Sequence, residues 1–216
     1  MFSQVTLRTE NGKKIAGDLF ESSKPKGLVV YLHMMPATKE SYTVLATKLQ
    51  GLDYEGLAID FRGHGISEGG PEGYLNFSDA EHQDKIKDVQ AAARSLVNRH
   101  RDLPLIVIGA SIGANLALQF GISDDAVKKI ILLSPGLNYR GIGIKNFITK
   151  LTESKSVLFV GSEDDNYAAE CVQELFGLVP EGIKKQKIIF KDAGHGTAMF
   201  ERHPELVENI INFIES

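Results

Sequence analysis

Short stretches of the chain carry residue types able to do nucleophilic chemistry. In VIGASIGANLA, Gly109-Ala110-Ser111-Ile112-Gly113 fits the spacing G-x-S-x-G. A strand that turns abruptly into a helix strains its middle residue, and small neighbours at the glycine positions avoid clashes there. The serine hydroxyl then stands above the sheet, over a helix N-terminus whose free N–H groups and dipole suit a developing oxyanion. A nucleophilic serine needs a base, and the base needs an orienting acid. In KDAGHGTAMF, His195 lies between two glycines just past an apolar run, on a loop and not on an apolar helix face. In VLFVGSEDDN, Glu163, Asp164 and Asp165 follow another such run, and each is a candidate acid. The chain order is serine, acid, histidine.

The elements that must hold these groups can be read from pattern. Val5 and Leu7, then Ile15, Gly17 and Leu19, form alternating segments joined at Asn11-Gly12, a strong hairpin signal. Dense apolar runs follow at 27–33, 56–60, 103–110, 129–134, 156–161 and 187–192. Such runs suit strands buried on both faces of a parallel sheet. Helical stripes lie between them: Tyr42, Leu45, Ala46 and Leu49; Ile86, Val89, Ala93 and Leu96; Leu206, Val207, Ile210, Ile211 and Phe213, after Pro204 at a helix start. The pattern predicts an α/β protein: a mostly parallel central sheet, an N-terminal antiparallel hairpin, and helices on both faces. In such sheets ligands bind at the carboxyl ends of the strands. One domain over 1–216 is expected from the length and the absence of a linker-like tract.

Together these stretches resemble the α/β-hydrolase superfamily, in its compact branch with dienelactone hydrolases and serine-aminopeptidase-type lipases. The resemblance spans essentially the whole chain through LHMMPATKESY, LAIDFRGHGISEG, VIGASIGANLA, VLFVGSEDD and AGHGTAMF, in family order. It implies Ser111 as nucleophile, His195 as general base, and Asp164 as acid, three residues after Gly161; Asp165 is the next choice and Glu163 the last. It implies His33 as a structural brace and the backbone N–H groups of Met34 and Ile112 as oxyanion donors. Where Met34 stands the family often has glycine, so a thioether must be housed beside the acyl pocket. The activity implied is hydrolysis of small to medium carboxylic esters through an acyl-enzyme, without metal or organic cofactor. The alternative is a non-catalytic scaffold of the same fold that binds a small ligand or a partner protein.

The stretch between Ser134 and Lys155 is short for a lid. It is expected to form a helix or two over an open site, with Leu137, Tyr139, Ile142 and Phe147 as possible lining beside Met35 and Met199. Asp60, Arg62 and Ser67 read as shaping a glycine-rich turn. His64 reads as a solvated loop residue, and His82, His100 and His203 as exposed helix residues. EHQDKIKD reads as a solvated helix face and Cys171 as inert. Asn115 reads as a residue bonding nearby backbone. No spacing suits zinc, and His33, Met34 and Met35 are too close in sequence to converge on copper.

Composition narrows the partners. The chain of 216 residues has 43% hydrophobic and 24% charged residues with net charge −4. That leaves no basic footprint for nucleic acid, and no phosphate-loop spacing is present. A single cysteine permits no internal disulfide, and no apolar run or leader-like N-terminus suggests a span or secretion. A cytoplasmic enzyme acting on a small-molecule ester is expected.

Overall fold

A computed structural model describes residues 2–216. In chain order the elements are β1 (Ser3–Arg8), β2 (Lys14–Phe20), β3 (Gly27–Leu32), α1 (Thr43–Gln50), β4 (Tyr54–Ile59), α2 (Asp79–Gln83), α3 (Ile86–Arg99), β5 (Leu105–Ala110) and α4 (Ile112–Ser123). There follow β6 (Val127–Leu133), β7 (Asn138–Tyr139), β8 (Ile142–Gly143), α5 (Lys145–Ile148), β9 (Ser156–Ser162), α6 (Asn166–Leu178), β10 (Lys184–Phe190), α7 (Met199–Arg202) and α8 (Glu205–Glu215). The main sheet runs β1-β2-β4-β3-β5-β6-β9-β10. The β1–β2 and β2–β4 pairs are antiparallel and the rest parallel, as the hairpin and the dense runs predicted.

The alternation along each strand divides the core. Leu28, Val30 and Leu32 face the layer of α3, α4 and α6, while Val29 and Tyr31 face α1 and α8. Val157 and Phe159 repeat the split against Leu158 and Val160. Period-2 alternation with both faces covered explains why these strands carry no polar face. The α8 stripe of Leu206, Val207, Ile210, Ile211, Phe213 and Ile214 is buried, each side chain contributing about 1.5–3 kcal/mol relative to exposure. The predicted stripes of α1 and α3 are buried likewise.

The last parallel strand departs from expectation. β10 is only half-buried, and Lys184, Lys185 and Lys187 line it. It is the sheet edge, where charge discourages pairing with another strand. The connection after β6 also differs. It forms the small β7–β8 hairpin and one turn of helix, α5, instead of a mainly helical lid.

Candidate active site

β5 ends at Ala110, and Ser111 adopts φ 53, ψ −119 before α4 begins at Ile112. That positive φ, unfavourable for a residue with a side chain, costs on the order of 1–3 kcal/mol. The turn is held on both sides: the Ser111 N–H donates to the Leu133 carbonyl at 2.8 Å, and its carbonyl accepts from Ala114 at 2.9 Å. The flanking glycines are required by close approach. A Cβ on Gly109 would strike the Gly113 carbonyl, and one on Gly113 would strike the Leu32 carbonyl. Neither the Met34 nor the Ile112 backbone N–H donates to another described residue. For Ile112, the first residue of its helix, this is the ordinary unsatisfied donor of a helix start.

At the ends of β9 and β10 a histidine meets a carboxylate. His195 Nδ1 lies 2.5 Å from Asp165 Oδ2, not against Asp164. The preferred sequence assignment of Asp164 as the partner of His195 is therefore corrected. Asp164 Oδ1 accepts from the Ser162 hydroxyl at 2.5 Å and the Gly194 N–H at 3.0 Å, and its Oδ2 pairs with Arg202 at 2.9 Å. The hydrogen bond from Ser162, then the other donors, hold the Asp164 carboxyl below its usual range. Asp164 thus anchors the backbone of the histidine loop, while Asp165 meets the ring. Glu163 takes part only through its backbone, donating to the Phe190 carbonyl.

Sequence reasoning missed two serines that hold this loop. Ser162 Oγ accepts the Ala193 N–H at 2.7 Å. Ser134, buried at the end of β6 with φ 48, accepts the Gly196 N–H at 2.9 Å. Their place at the carboxyl ends of strands flanking β5 and β10 was the available signal.

The loop after β3 is braced from beneath. Phe61 N–H donates to His33 Nε2 at 3.0 Å, so Nδ1 carries the proton and donates to the Met34 carbonyl at 2.8 Å. Burial holds the His33 imidazole neutral, with its pKa pushed down to about 3. Asp60 accepts the Lys39 and Ile66 N–H groups, and Ser67 donates to the Asp60 carbonyl, so these two shape the glycine-rich turn. Arg62 reaches farther, to Asp88 on α3 through both Nε and Nη2.

Two readings of this region are overturned. His64 is fully buried and stacked on Tyr74 at 4.0 Å, not solvated. The helix face expected to be solvated carries buried His82, Lys85 and Asp88. The Lys85 amine contacts His82 Nδ1 at 3.1 Å and Met35 Sδ at 3.9 Å, beneath the rings of Phe61, Tyr74 and Phe77. Asp88 is committed to Arg62, and burial pushes the Lys85 pKa down to about 7. His100 and His203, expected exposed, are half-buried and face Glu55 and the Asp192–Glu205 pair.

The candidate pocket residues separate. Met34 packs against Gly196 beside His195 and lines a groove of about 370 Å³ with Val44, Thr197 and Phe200. Met35 turns the other way, to Lys85. Met199 is buried in the α7–α8 core and lines nothing, because its helix turn lies under the histidine loop. Ile142 is likewise core, Leu137 packs on the α4 layer, and Phe147 is half-buried on α5. Tyr139 stays at the site, its ring perpendicular to His195 with centroids 6.4 Å apart and its hydroxyl in polar contact with Ser111. Asn115 does bond backbone, but that of the cap: its Nδ2 donates to the Ile142 carbonyl at 2.7 Å and its Oδ1 accepts the Gly136 N–H at 3.2 Å. A larger cavity of about 470 Å³, lined by Arg94, Asn98 and Phe120, borders α3 and α4 and none of these groups. Cys171 is buried, and burial raises its thiol pKa.

The family described as serine aminopeptidase, S33, matches residues 23–164 of the chain. Solved structures share the fold. An esterase from Pyrococcus furiosus superposes with a TM-score of 0.82 at 19% identity, covering 100% of this chain and 90% of that one. A thermostable carboxyl esterase from Bacillus coagulans gives 0.79 at 14% identity, over 99% and 98% of the two chains. An esterase from Exiguobacterium antarcticum gives 0.75 at 14% identity, over 99% and 100%. No curated protein sequence matches the chain. Among the described residues, no helix is long and apolar enough to cross a membrane.

Proposed function

Because the chain belongs to the serine aminopeptidase S33 family of α/β-hydrolases, we propose that it is a serine carboxylesterase acting on small to medium acyl groups. The observation that carries this reading is the strained Ser111 on the edge of the sheet that also bears the His195–Asp165 pair at 2.5 Å. Ser111 attacks the ester carbonyl as His195 takes its proton. Asp165 holds the imidazole by Nδ1 and stabilises its cation. The Met34 and Ile112 N–H groups receive the oxyanion, and water then releases the acyl group. The groove at Met34, Val44 and Phe200, which Glu40 and Glu201 also line, receives the acyl chain, and its modest volume favours small to medium chains.

A series of p-nitrophenyl esters of increasing acyl length tests this. Turnover is expected to peak at short to medium chains and to vanish in Ser111→Ala. A folded Ser111→Ala protein with wild-type turnover contradicts the assignment. Met34→Gly is expected to shift chain-length preference more than it lowers turnover of the acetate.

A further inference from the structure

We propose that Tyr139 is a catalytic residue, its phenol donating a hydrogen bond to the leaving oxygen of the ester. The inference rests on the serine-esterase reading and begins with the sheet order. β3 and β6 flank β5 on opposite sides. The loop after β3 carries Met34, so the carbonyl oxygen of the substrate turns to that flank. The alkoxy oxygen then faces the other flank, which carries Tyr139 and receives the proton from His195.

The phenol is held there before substrate arrives. Asn115 ties the cap to the nucleophile helix at Ile142 and Gly136, and Gln119 adds a bond to the Gly143 carbonyl at 2.9 Å. The ring lies directly over Gly136, where an added Cβ would meet Tyr139 Cζ at 2.6 Å. Tyr167 packs edge-on behind it at 5.9 Å. Yet the hydroxyl itself is poorly satisfied. Its bond to the Ser134 carbonyl is 3.4 Å long, beyond the roughly 2.5–3.0 Å of a good O–H···O bond. Burial, then the nearby Asp165 charge, raises its pKa, so the proton stays on the phenol. A fixed donor whose backbone bond is long, set beside His195 and Ser111, is pre-organised for charge that develops in the reaction.

In the step itself, the Ser111 oxygen forms its bond to the carbonyl carbon, and the carbon–alkoxy bond breaks. The electron pair leaves on the alkoxy oxygen, which takes the proton that His195 received from Ser111. Tyr139 shares its hydrogen bond with that oxygen throughout and transfers no proton. Help of this kind matters most when the leaving group is a poor one.

Tyr139→Phe keeps the ring that covers Gly136 and removes only the hydroxyl. The test compares kcat/KM for ethyl acetate and p-nitrophenyl acetate, and then the slope of log kcat/KM against leaving-group pKa over substituted phenyl acetates. The ethyl ester is expected to lose about 10-fold, the p-nitrophenyl ester much less, and the slope to steepen. Tyr167→Phe, the packing control, should leave the ratio of the two esters unchanged. An equal loss on both esters, a larger loss on the aryl ester, or no loss on either overturns the role of Tyr139. If the wild type hydrolyses no ester, or if Ser111→Ala remains active, the esterase reading fails and this inference with it. An active wild type with an inactive Ser111→Ala leaves the outcome to Tyr139 alone.

Discussion

The two flanks of Ser111 are built in opposite ways. On the β3 side, His33, Asp60, His64, Lys85 and Asp88 are all buried and fix the loop backbone from below. On the β6 side, the cap is a hairpin of two-residue strands and a helical turn, with Tyr139 half-buried and Tyr167 of α6 beside it 48% exposed. The first flank has its shape before any substrate arrives, and it is shaped by groups that dislike charge. The second presents side chains, held through the backbone by Asn115 and Gln119. Changes on the first should therefore act through stability and pH. Changes at the cap and the triad should act through rate.

The largest effect expected is at the triad. Ser111→Ala should lower kcat by about 10⁶-fold with no loss of folded protein by circular dichroism. Next, Asp165→Asn should lower kcat by about 10⁴-fold, as loss of an orienting carboxylate does. Asp164→Asn, which weakens the anchoring of Ser162, Gly194 and Arg202 without touching the His195 ring, should stay within about 10-fold. Reversal of the two asparagine effects in steady-state assays would restore Asp164 as the acid.

The β3 flank should answer to pH. His33, His64 and His82 are neutral in the fold because burial lowers their pKa values, with His82 pushed down to about 4. As pH falls below about 6.5, the unfolded chain binds protons that these buried rings refuse, so stability drops. Thermal midpoints measured from pH 7 down to 4 should fall steadily; a flat profile would contradict the burial. Lys85 acts in the same direction at higher pH. Its pKa is lowered to about 7, so the unfolded chain holds the proton more tightly and stability rises between about pH 7 and 10.5. Arg62 and Arg140 oppose its charge, and Asp88, which favours it, belongs to Arg62. Lys85→Met keeps the packing and removes the charge. It should raise the midpoint by about 5 °C at pH 6, and by progressively less above about pH 7. The smallest expected effect is at Gln119: alanine there should loosen one cap bond, at about 0.5–1.5 kcal/mol in denaturant unfolding.

The legible part of this molecule was the part written in period and spacing. Alternating and dense apolar runs placed the hairpin and the parallel strands, and G-x-S-x-G placed the turn at Ser111. The choice between Asp164 and Asp165 was not legible, because adjacent residues differ only in how the loop after β9 turns. There the Asp165 N–H closes on the Ser162 carbonyl, and that turn sends one carboxylate to the ring and the other to the backbone. Burial of His64 and Lys85 was hidden for another reason. Polar residues read as exposed until distant aromatics, Phe61, Tyr74 and Phe77, are seen to roof them. Met34 and Met35 look alike in sequence, yet one lies beside His195 and the other against Lys85.

The central claim is that Ser111 is an activated nucleophile. Treatment of the intact protein with a fluorophosphonate, followed by peptide mass spectrometry, tests it most directly. The account predicts one adduct, on Ser111, absent from Ser111→Ala and strongly slowed in Asp165→Asn. A folded wild-type protein that takes no label at Ser111 would contradict it and favour a non-catalytic binding scaffold.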